Sequence, residues 1–361
     1  MSINTTPAPL LPAGTLAALR AAWALPDLPA QALGGEESRI NISLRIGDLV
    51  LQRINSTVFP SPQRVVDNVV QVSRHLAAHI ADRSYPEQAL QAVPARSGEF
   101  GVSIDGGVWR ATRFIPDGVN HDRVSSDALA REGARAIAAF LLALRDFNPR
   151  HYEPALPEFH QLSNRITALR DAVQTDRFGR AKAAADVIAG LEQRLGYLEQ
   201  LEQQCVSGRL PARFVHGDTK IANVLFDRHD KAIAVMDLDT VMVSSLVFDF
   251  ADMARSFCNP VGEHSVPDAV SVSIPRFRAL ADGFLSVLDR ELTRVEREAL
   301  LPATLAVTTT LAIRFLTDHL SGDHYFRVEQ AGDNLRRAAV QLALVQAFER
   351  EQKSLRRHLR L

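Results

Sequence analysis

Eight residues, His216-Gly217-Asp218-Thr219-Lys220-Ile221-Ala222-Asn223, constrain this chain more than any other stretch. They set an acid, a cation two positions later and an amide five positions later. Arg213-Phe214-Val215 reads as a short strand entering the run, and Asn223-Val224-Leu225-Phe226 as a second. Arg228-His229-Asp230-Lys231 reads as a turn, and Ala232–Met236 as a third strand that delivers Asp237-Leu238-Asp239. Both acidic positions are then expected at the ends of short strands facing one cleft. Phosphoryl transfer uses such an arrangement. Asp218 would accept the proton of an attacking hydroxyl, and Lys220 would offset the charge of the transferring group. Asn223 and Asp237 would hold Mg²⁺ against nucleotide phosphates, with Asp239 as an outer or alternate metal ligand. A bare His-Gly-Asp is weak, because Asp218 and Asn223 alone can be turn formers and Asp237–Asp239 a solvated loop. The Asn at the right offset, and the Asp after a hydrophobic run about twenty residues on, select the catalytic reading.

The whole chain sets looser bounds. At 361 residues it is long for one core, so two lobes are expected. A hydrophobic content of 46% and a charged content of 23% are those of an ordinary globular protein. The net charge of −1 argues against general binding to nucleic acid or anionic membrane, and mildly against a pocket for a polycation. Cys205 and Cys258 lie far apart with no metal spacing, as unpaired thiols of a reducing compartment do. Met1–Pro7 lacks the pattern of a signal peptide, and no stretch of about 18 uncharged apolar residues occurs. A cytoplasmic protein with a small-molecule substrate, and no membrane or nucleic-acid partner, is expected.

Along the chain, a short helix is predicted from Leu16 to Ala24. Strands follow at 40–46 and 49–54, joined by Gly47-Asp48 in a type II′ hairpin. Ser61-Pro62 opens a helix, Ser as N-cap and Pro at the first helical position, whose apolar face is Val65, Val69, Val72, Leu76 and Ile80. A second hairpin is predicted from Phe100–Ile104 and Val108–Ile115 through Asp105-Gly106-Gly107. Pro116 and Gly118 break the pattern. Beyond them Ser126 caps a helix, Arg180 to Gln204 forms a long amphipathic stretch, and a last helix begins near Asp333. The expected class is therefore α+β: a two-lobed, protein-kinase-like fold. Its small β-rich nucleotide-binding lobe would span 1–115, and its larger, mostly helical lobe with catalytic loop and substrate site 116–361. His216-Gly217-Asp218 stands where protein kinases carry His-Arg-Asp, and Asp237-Leu238-Asp239 where they carry Asp-Phe-Gly.

The nucleotide lobe is spelled less completely. Gly34-Gly35 before Glu36-Glu37-Ser38 is a remnant of a glycine-rich loop. Arg53 occupies the strand where a cation should meet the α- and β-phosphates, which a guanidinium can do bidentately. Gln52 competes for that inward position, and periodicity alone leaves the choice open. Asp67 is placed to orient Arg53, although both can equally be surface charges.

Further runs carry a resemblance. They are Leu51-Gln52-Arg53-Ile54-Asn55 with Val58-Phe59, Trp109-Arg110, Phe114-Ile115, Phe159-His160, Asp237-Leu238-Asp239-Thr240-Val241-Met242 and Phe248-Asp249-Phe250. Later come Arg314-Phe315-Leu316-Thr317-Asp318, Gly322-Asp323 and Tyr325-Phe326. With Asp218-Thr219-Lys220 and Asn223, the chain after about residue 30 resembles the aminoglycoside phosphotransferase/choline kinase superfamily. Within it the chain looks most like N-acetylhexosamine 1-kinase-like proteins. The resemblance implies ATP with Mg²⁺ and a sugar phosphorylated at its anomeric hydroxyl. Asp218 would be the base, Asn223 and Asp237 the metal ligands, and Thr240, Arg314 and Tyr325 would face the sugar. Such proteins often carry Gly-His-Ile-Asn in the first hairpin; here Ser38-Arg39-Ile40-Asn41 stands in its place. Without the resemblance, Arg314 and Tyr325 read as an ion-pairing Arg and a half-buried ring. His160 reads as a packing histidine, and Asp249 as an acceptor that holds the catalytic loop by its backbone. Other acceptors (an aminoglycoside, choline, homoserine) and an inactive kinase-like binding protein are the alternatives. Intact Asp218, Lys220, Asn223 and Asp237 argue against the inactive one.

Overall fold

The computed structural model describes residues 11–33, 41–149 and 152–361. Gly34-Gly35 and Ser38-Arg39-Ile40 lie outside the described residues. The chain begins α1 (Ala13–Trp23), β1 (Gln31–Ala32), β2 (Ile42–Ile46), β3 (Leu49–Arg53), α2 (Pro62–Ala81) and β4 (Ala92–Val93). It continues β5 (Gly101–Ile104), β6 (Gly107–Arg113), α3 (Asp127–Ala143), α4 (Leu162–Thr175), α5 (Ala185–Glu192) and α6 (Leu195–Val206). Next are β7 (Arg213–Val215), β8 (Val224–Phe226), β9 (Ala232–Val235), β10 (Met242–Ser244) and α7 (Val247–Phe257). It ends with α8 (Ile274–Leu288), α9 (Arg294–Ser321) and α10 (Asp333–His358).

The chain divides into two compact units and passes between them several times. The first holds residues 1–120, 143–157 and 223–242; the second holds 121–142, 158–222 and 243–361. The expected break at 115–116 lies near the first crossing. The two later segments that return to the first unit carry no local mark in the sequence, because long-range contacts place them.

In the first unit β1-β2-β3-β6-β4 form an antiparallel sheet, with β5 also pairing β6. Leu44, Ile46, Leu49, Leu51, Trp109 and Ala111 point to one face and bury Leu19 and Trp23 of α1. The β2–β3 turn has φ +61° at Gly47 and no positive φ at Asp48, as a type II′ turn asks. The β5–β6 turn is narrower than predicted: Asp105 (φ +47°) and Gly106 (φ +70°) make it alone, and Gly107 joins the strand. Two positive φ values fit a type I′ turn. Helix α2 starts at Pro62 as expected, but the Ser61 side chain makes no capping bond, so the preset φ of Pro62 does that work. Val65, Val69, Val72 and Leu76 are buried; Ile80, in the last turn, is 37% exposed.

The second unit is built around α9, which packs against α10, α7, α4 and α6. A capping box of Thr293 and Glu296 starts α9. Its buried Thr304, Thr308 and Thr309 hydroxyls each donate to the carbonyl four residues back, so these three hydroxyls are satisfied within the helix. By length and hydropathy α9 would cross a bilayer, yet 72% of its most apolar window is buried inside the protein, as for a core helix. The Arg180–Gln204 stretch is not one helix. It breaks at Gln193-Arg194, where Arg194 bonds the Gly190 carbonyl (2.7 Å) and pairs with Glu349 of α10 (2.8 Å).

Candidate active site

The catalytic-loop motif belongs to the second unit and is held from below by α7. Asp249 is buried and accepts the backbone N–H groups of His216 (2.7 Å) and Gly217 (2.9 Å). Gly217 needs this support, since its φ of +84° is a conformation that side-chain-bearing residues rarely adopt. One turn on, Asp252 accepts the Thr219 N–H (2.9 Å), while the Thr219 hydroxyl donates to the Asp249 carbonyl (2.7 Å). Two carboxylates spaced i,i+3 on one helix thus fix the backbone on both sides of Asp218. Burial pushes Asp249 up to about 6, against the opposing pull of His216 and the two N–H bonds. Arg255 pairs with Asp252 (2.7 Å), and its pKa is raised: burial opposes the charge, but Asp252, Glu263 and Asp218 together outweigh it. Asp218 itself is partly exposed, and Lys220 Nζ lies 2.9 Å from its Oδ2. The backbone role expected for Asp249 is what the structure contains. Asp252 and Arg255 were not anticipated; an acid three residues after Asp249 was the available signal.

The chain crosses into the first unit between Ala222 and Asn223. There Asn223 ends a 3-10 turn rather than beginning a strand, and β8 and β9 pair from Val224↔Val235. The Met236 N–H donates to the Asn223 carbonyl (2.8 Å), so Asn223 stands opposite Met236, and Asp237 follows it at the open end of the hairpin. Asp237 adopts φ +55°, ψ +61°, an uncommon conformation for a residue with a side chain and one that recurs at functional positions. An amide oxygen and a carboxylate at one end of a hairpin suit a hard divalent cation.

Asp239 has other company. It is buried and lies 2.6 Å from Arg110 Nη2 of β6, and its Oδ2 accepts from Asn41 Nδ2 at 2.7 Å. Arg110 also donates to Gln52 Oε1 (2.9 and 3.1 Å), and Gln52 donates to Ser43 Oγ (3.0 Å). Asn41 accepts the Asn55 N–H (2.9 Å). Both Asp239 oxygens therefore have side-chain partners, and the strand alternation left open in the sequence resolves on Gln52 for this face. Arg53 shares the parity of Leu49 and Leu51. Its guanidinium lies against Gly107, where a Cβ would fall 2.2 Å from Nε. Arg53 makes no hydrogen bond or ion pair among the described residues, and Asp67 bonds Gln63 (3.0 Å) instead. The structure does not bring Arg53 to Asp239; it brings Arg110.

Of the residues expected to face an acceptor, Thr240 closes the 3-10 turn Leu238–Thr240 in the first unit. Arg314 and Tyr325 meet in the second, with Arg314 Nη2 3.2 Å from the Tyr325 hydroxyl. The Arg314 guanidinium also lies over Phe159, Tyr325 and Phe326 at 5.8, 5.4 and 5.3 Å. Tyr325 is placed by Asp318, whose carboxylate accepts the N–H groups of His324, Tyr325 and Phe326 and the amide of Asn334. Arg165 makes no hydrogen bond or ion pair among the described residues, and burial, then the nearby Arg314 charge, lowers its pKa. His160 is a packing histidine, as its sequence context suggested. It stacks on Phe248 at 4.1 Å and bonds Ser244 (2.8 Å), and burial, then Arg165 and Arg314, push it down to about 3.

Known proteins share this architecture. An aminoglycoside phosphotransferase from Alicyclobacillus acidocaldarius superposes with a TM-score of 0.58 at 15% identity, covering 98% of each chain. An amicoumacin kinase solved with AMP-PNP and Ca²⁺ gives 0.60 at 13% identity, covering 91% of this chain and 92% of that one. A microcompartment-associated aminopropanol kinase gives 0.58 at 17%, covering 95% and 98%. At such identities the likeness is one of fold: a small antiparallel-sheet part and a larger helical part, as in kinases. The sequence profile of one family goes further, matching residues 30–281, well over half of the chain and the whole of the Asp218–Asp239 motif. The chain belongs to the phosphotransferase enzyme family.

Proposed function

We propose that this protein transfers the γ-phosphate of ATP to a hydroxyl of a small neutral sugar, with Mg²⁺ as its metal. The anomeric hydroxyl of a hexose or N-acetylhexosamine is the intended acceptor. Asp218 takes the acceptor proton, and Lys220, 2.9 Å from it, is placed to offset charge on the transferring group. Asn223 and Asp237 hold the metal, which when bound shields the phosphate oxygens from one another and from the incoming hydroxyl. Asp249, Asp252 and Arg255 keep the loop in register so that Asp218 needs no rearrangement. Asp239 serves by fixing the turn that carries Asp237, through Arg110 and Asn41.

The observation that carries the choice of acceptor is the pairing of Arg314 with Tyr325, near a half-buried Arg165 that feels the Arg314 charge more strongly than that of Glu158. Two guanidinium groups and a phenol offer hydrogen bonds to ring oxygens and an acetamido carbonyl. They repel a polyamine. A cationic acceptor would call for carboxylates or an aromatic cage without a resident cation, and here Arg314 already occupies the space over Phe159, Tyr325 and Phe326. An assay of ADP release across hexoses, N-acetylhexosamines, their alditols, choline, homoserine and an aminoglycoside tests this. Turnover with a reducing sugar and none with its alditol is expected. Robust turnover with choline or an aminoglycoside, and with no sugar, would overturn the acceptor and leave the phosphotransferase intact.

A further inference from the structure

A second set of ligating side chains lies in the first unit, away from the motif segments. His75 and His79 are one turn apart on α2, and Asp146 follows α3 in the 3-10 turn Leu144–Asp146. A single carboxylate oxygen, Asp146 Oδ1, lies 3.1 Å from His79 Nε2 and 3.4 Å from His75 Nε2. One ligand atom from each of the three residues falls within 4.8 Å of the others. The edges of a tetrahedron around a metal bonded at about 2.0–2.1 Å are about 3.3 Å long, so two measured separations are already those of a bound Zn²⁺-type ion.

The surroundings support the same use. His79 Nδ1 is 2.6 Å from Ser84 Oγ, and Ser84 is itself held by Asp82 through its N–H (3.0 Å) and hydroxyl (2.5 Å). A ligating imidazole commonly has an oxygen partner on its other nitrogen, which leaves Nε2 with a lone pair for the metal. His75 is packed by Phe147 (ring centroids 5.0 Å) and by His79 (4.6 Å), which limits its ring to few orientations. Its Nε2 is also 2.8 Å from the Ala143 carbonyl, so without metal the Nε2–H donates there. Metal uptake moves that hydrogen to Nδ1 through solvent; neutral His75 stays neutral and no proton is released, whereas imidazolium would lose one. The last turn of α2, with its carbonyl ends, adds a field that favours a cation.

We propose that His75, His79 and Asp146 form a binding site for a borderline transition-metal cation of the Zn²⁺ class, with water as the fourth ligand. Two nitrogens and one carboxylate suit Zn²⁺, Co²⁺ or Ni²⁺ and disfavour Mg²⁺, which prefers an all-oxygen shell. The ion would tie the end of α2 to the chain leaving α3, as a structural staple within the first unit.

Calorimetric titration of the full chain with Zn²⁺ in the presence of excess Mg²⁺ is the test. One equivalent is expected to bind, and each of His75→Gln, His79→Gln and Asp146→Asn should weaken it by at least about tenfold. His358→Gln, in the second unit, should leave binding unchanged. Co²⁺ should give the intense visible bands of tetrahedral coordination in the wild type and lose them in His79→Gln. The Asp146 side chain is 65% exposed, against 18% for His75 and 17% for His79, so Asp146→Asn folds even if a histidine variant does not. Zn²⁺ uptake that survives both His79→Gln and Asp146→Asn, or no stoichiometric uptake by the wild type, would overturn the site. The three side chains would then be a hydrogen-bonded cluster only.

Discussion

Asp239 in the first unit is met by side chains, whereas Asp249 in the second is met by backbone N–H groups. The difference decides what each carboxylate can do. Asp239 faces a counter-charge, Arg110, and both are almost fully buried, at 1% and 6% side-chain exposure. Such a pair fixes one strand against one turn, and losing either partner strands a charge. Asp249 has no guanidinium hydrogen-bonded to it; it collects dipoles from a loop bent at Gly217 and holds that loop's shape. The first device sets where a segment sits, and the second sets the path of the backbone through Asp218.

The largest effect expected separates chemistry from both devices. Asp218→Asn should reduce turnover by about 10²-fold or more while leaving the unfolding midpoint and ATP affinity near wild type. A variant with near wild-type turnover would remove Asp218 from the role of base.

Next, Arg110→Met should destabilise the protein by about 3–5 kcal/mol in urea unfolding, because Asp239 is left buried and unpaired. Adding Asp239→Leu should restore much of that loss while activity stays low. If the double variant is no more stable than Arg110→Met, the pair is not the source of the cost.

Asp249→Asn sharpens the other side of the comparison. An amide keeps one acceptor oxygen for two N–H groups, so a stability loss of about 1–3 kcal/mol is expected. A fall in kcat should accompany it with little change in KM for ATP. Unchanged kcat would show that Gly217 keeps its path without the second bond.

The last expectation concerns pH. His160 titrates near 6.5 when unfolded and near 3 when folded, so the unfolded chain takes up the proton first. Its share of stability is complete above pH 6.5 and is lost as pH falls toward 3. Asp249 acts in the opposite sense: its raised pKa gives stability that is full below 3.8 and lost as pH rises through about 6. Replacing His160 by Phe should therefore recover about 2–3 kcal/mol of the difference between wild-type stability near pH 7 and near pH 4.5. Identical pH dependence in the two proteins would mean that His160 accepts a proton in place.

Within the sequence, local features were the readable ones. The hairpin around β8 and β9, the turns at Gly47 and Asp105-Gly106, the Pro62 helix start and the Ser126 cap each depend on a few neighbouring residues. Hence the backbone role of Asp249 was legible unaided. Whether Gln52 or Arg53 faces Arg110 could not be read, because strand alternation gives two faces and only the packing of Leu49 and Leu51 on α1 chooses between them. The break at Arg194 required Glu349, and the anchoring of Asp239 required Arg110 and Asn41. These partners are distant in sequence, and ion pairs of this kind exist only once the chain has folded. What the sequence alone determined was the order of chemical groups along the catalytic segment, since that order is covalent. Which cation meets which acid was decided only by tertiary structure, because burial makes an unpaired charge too costly to leave and so selects the partner that packing can reach.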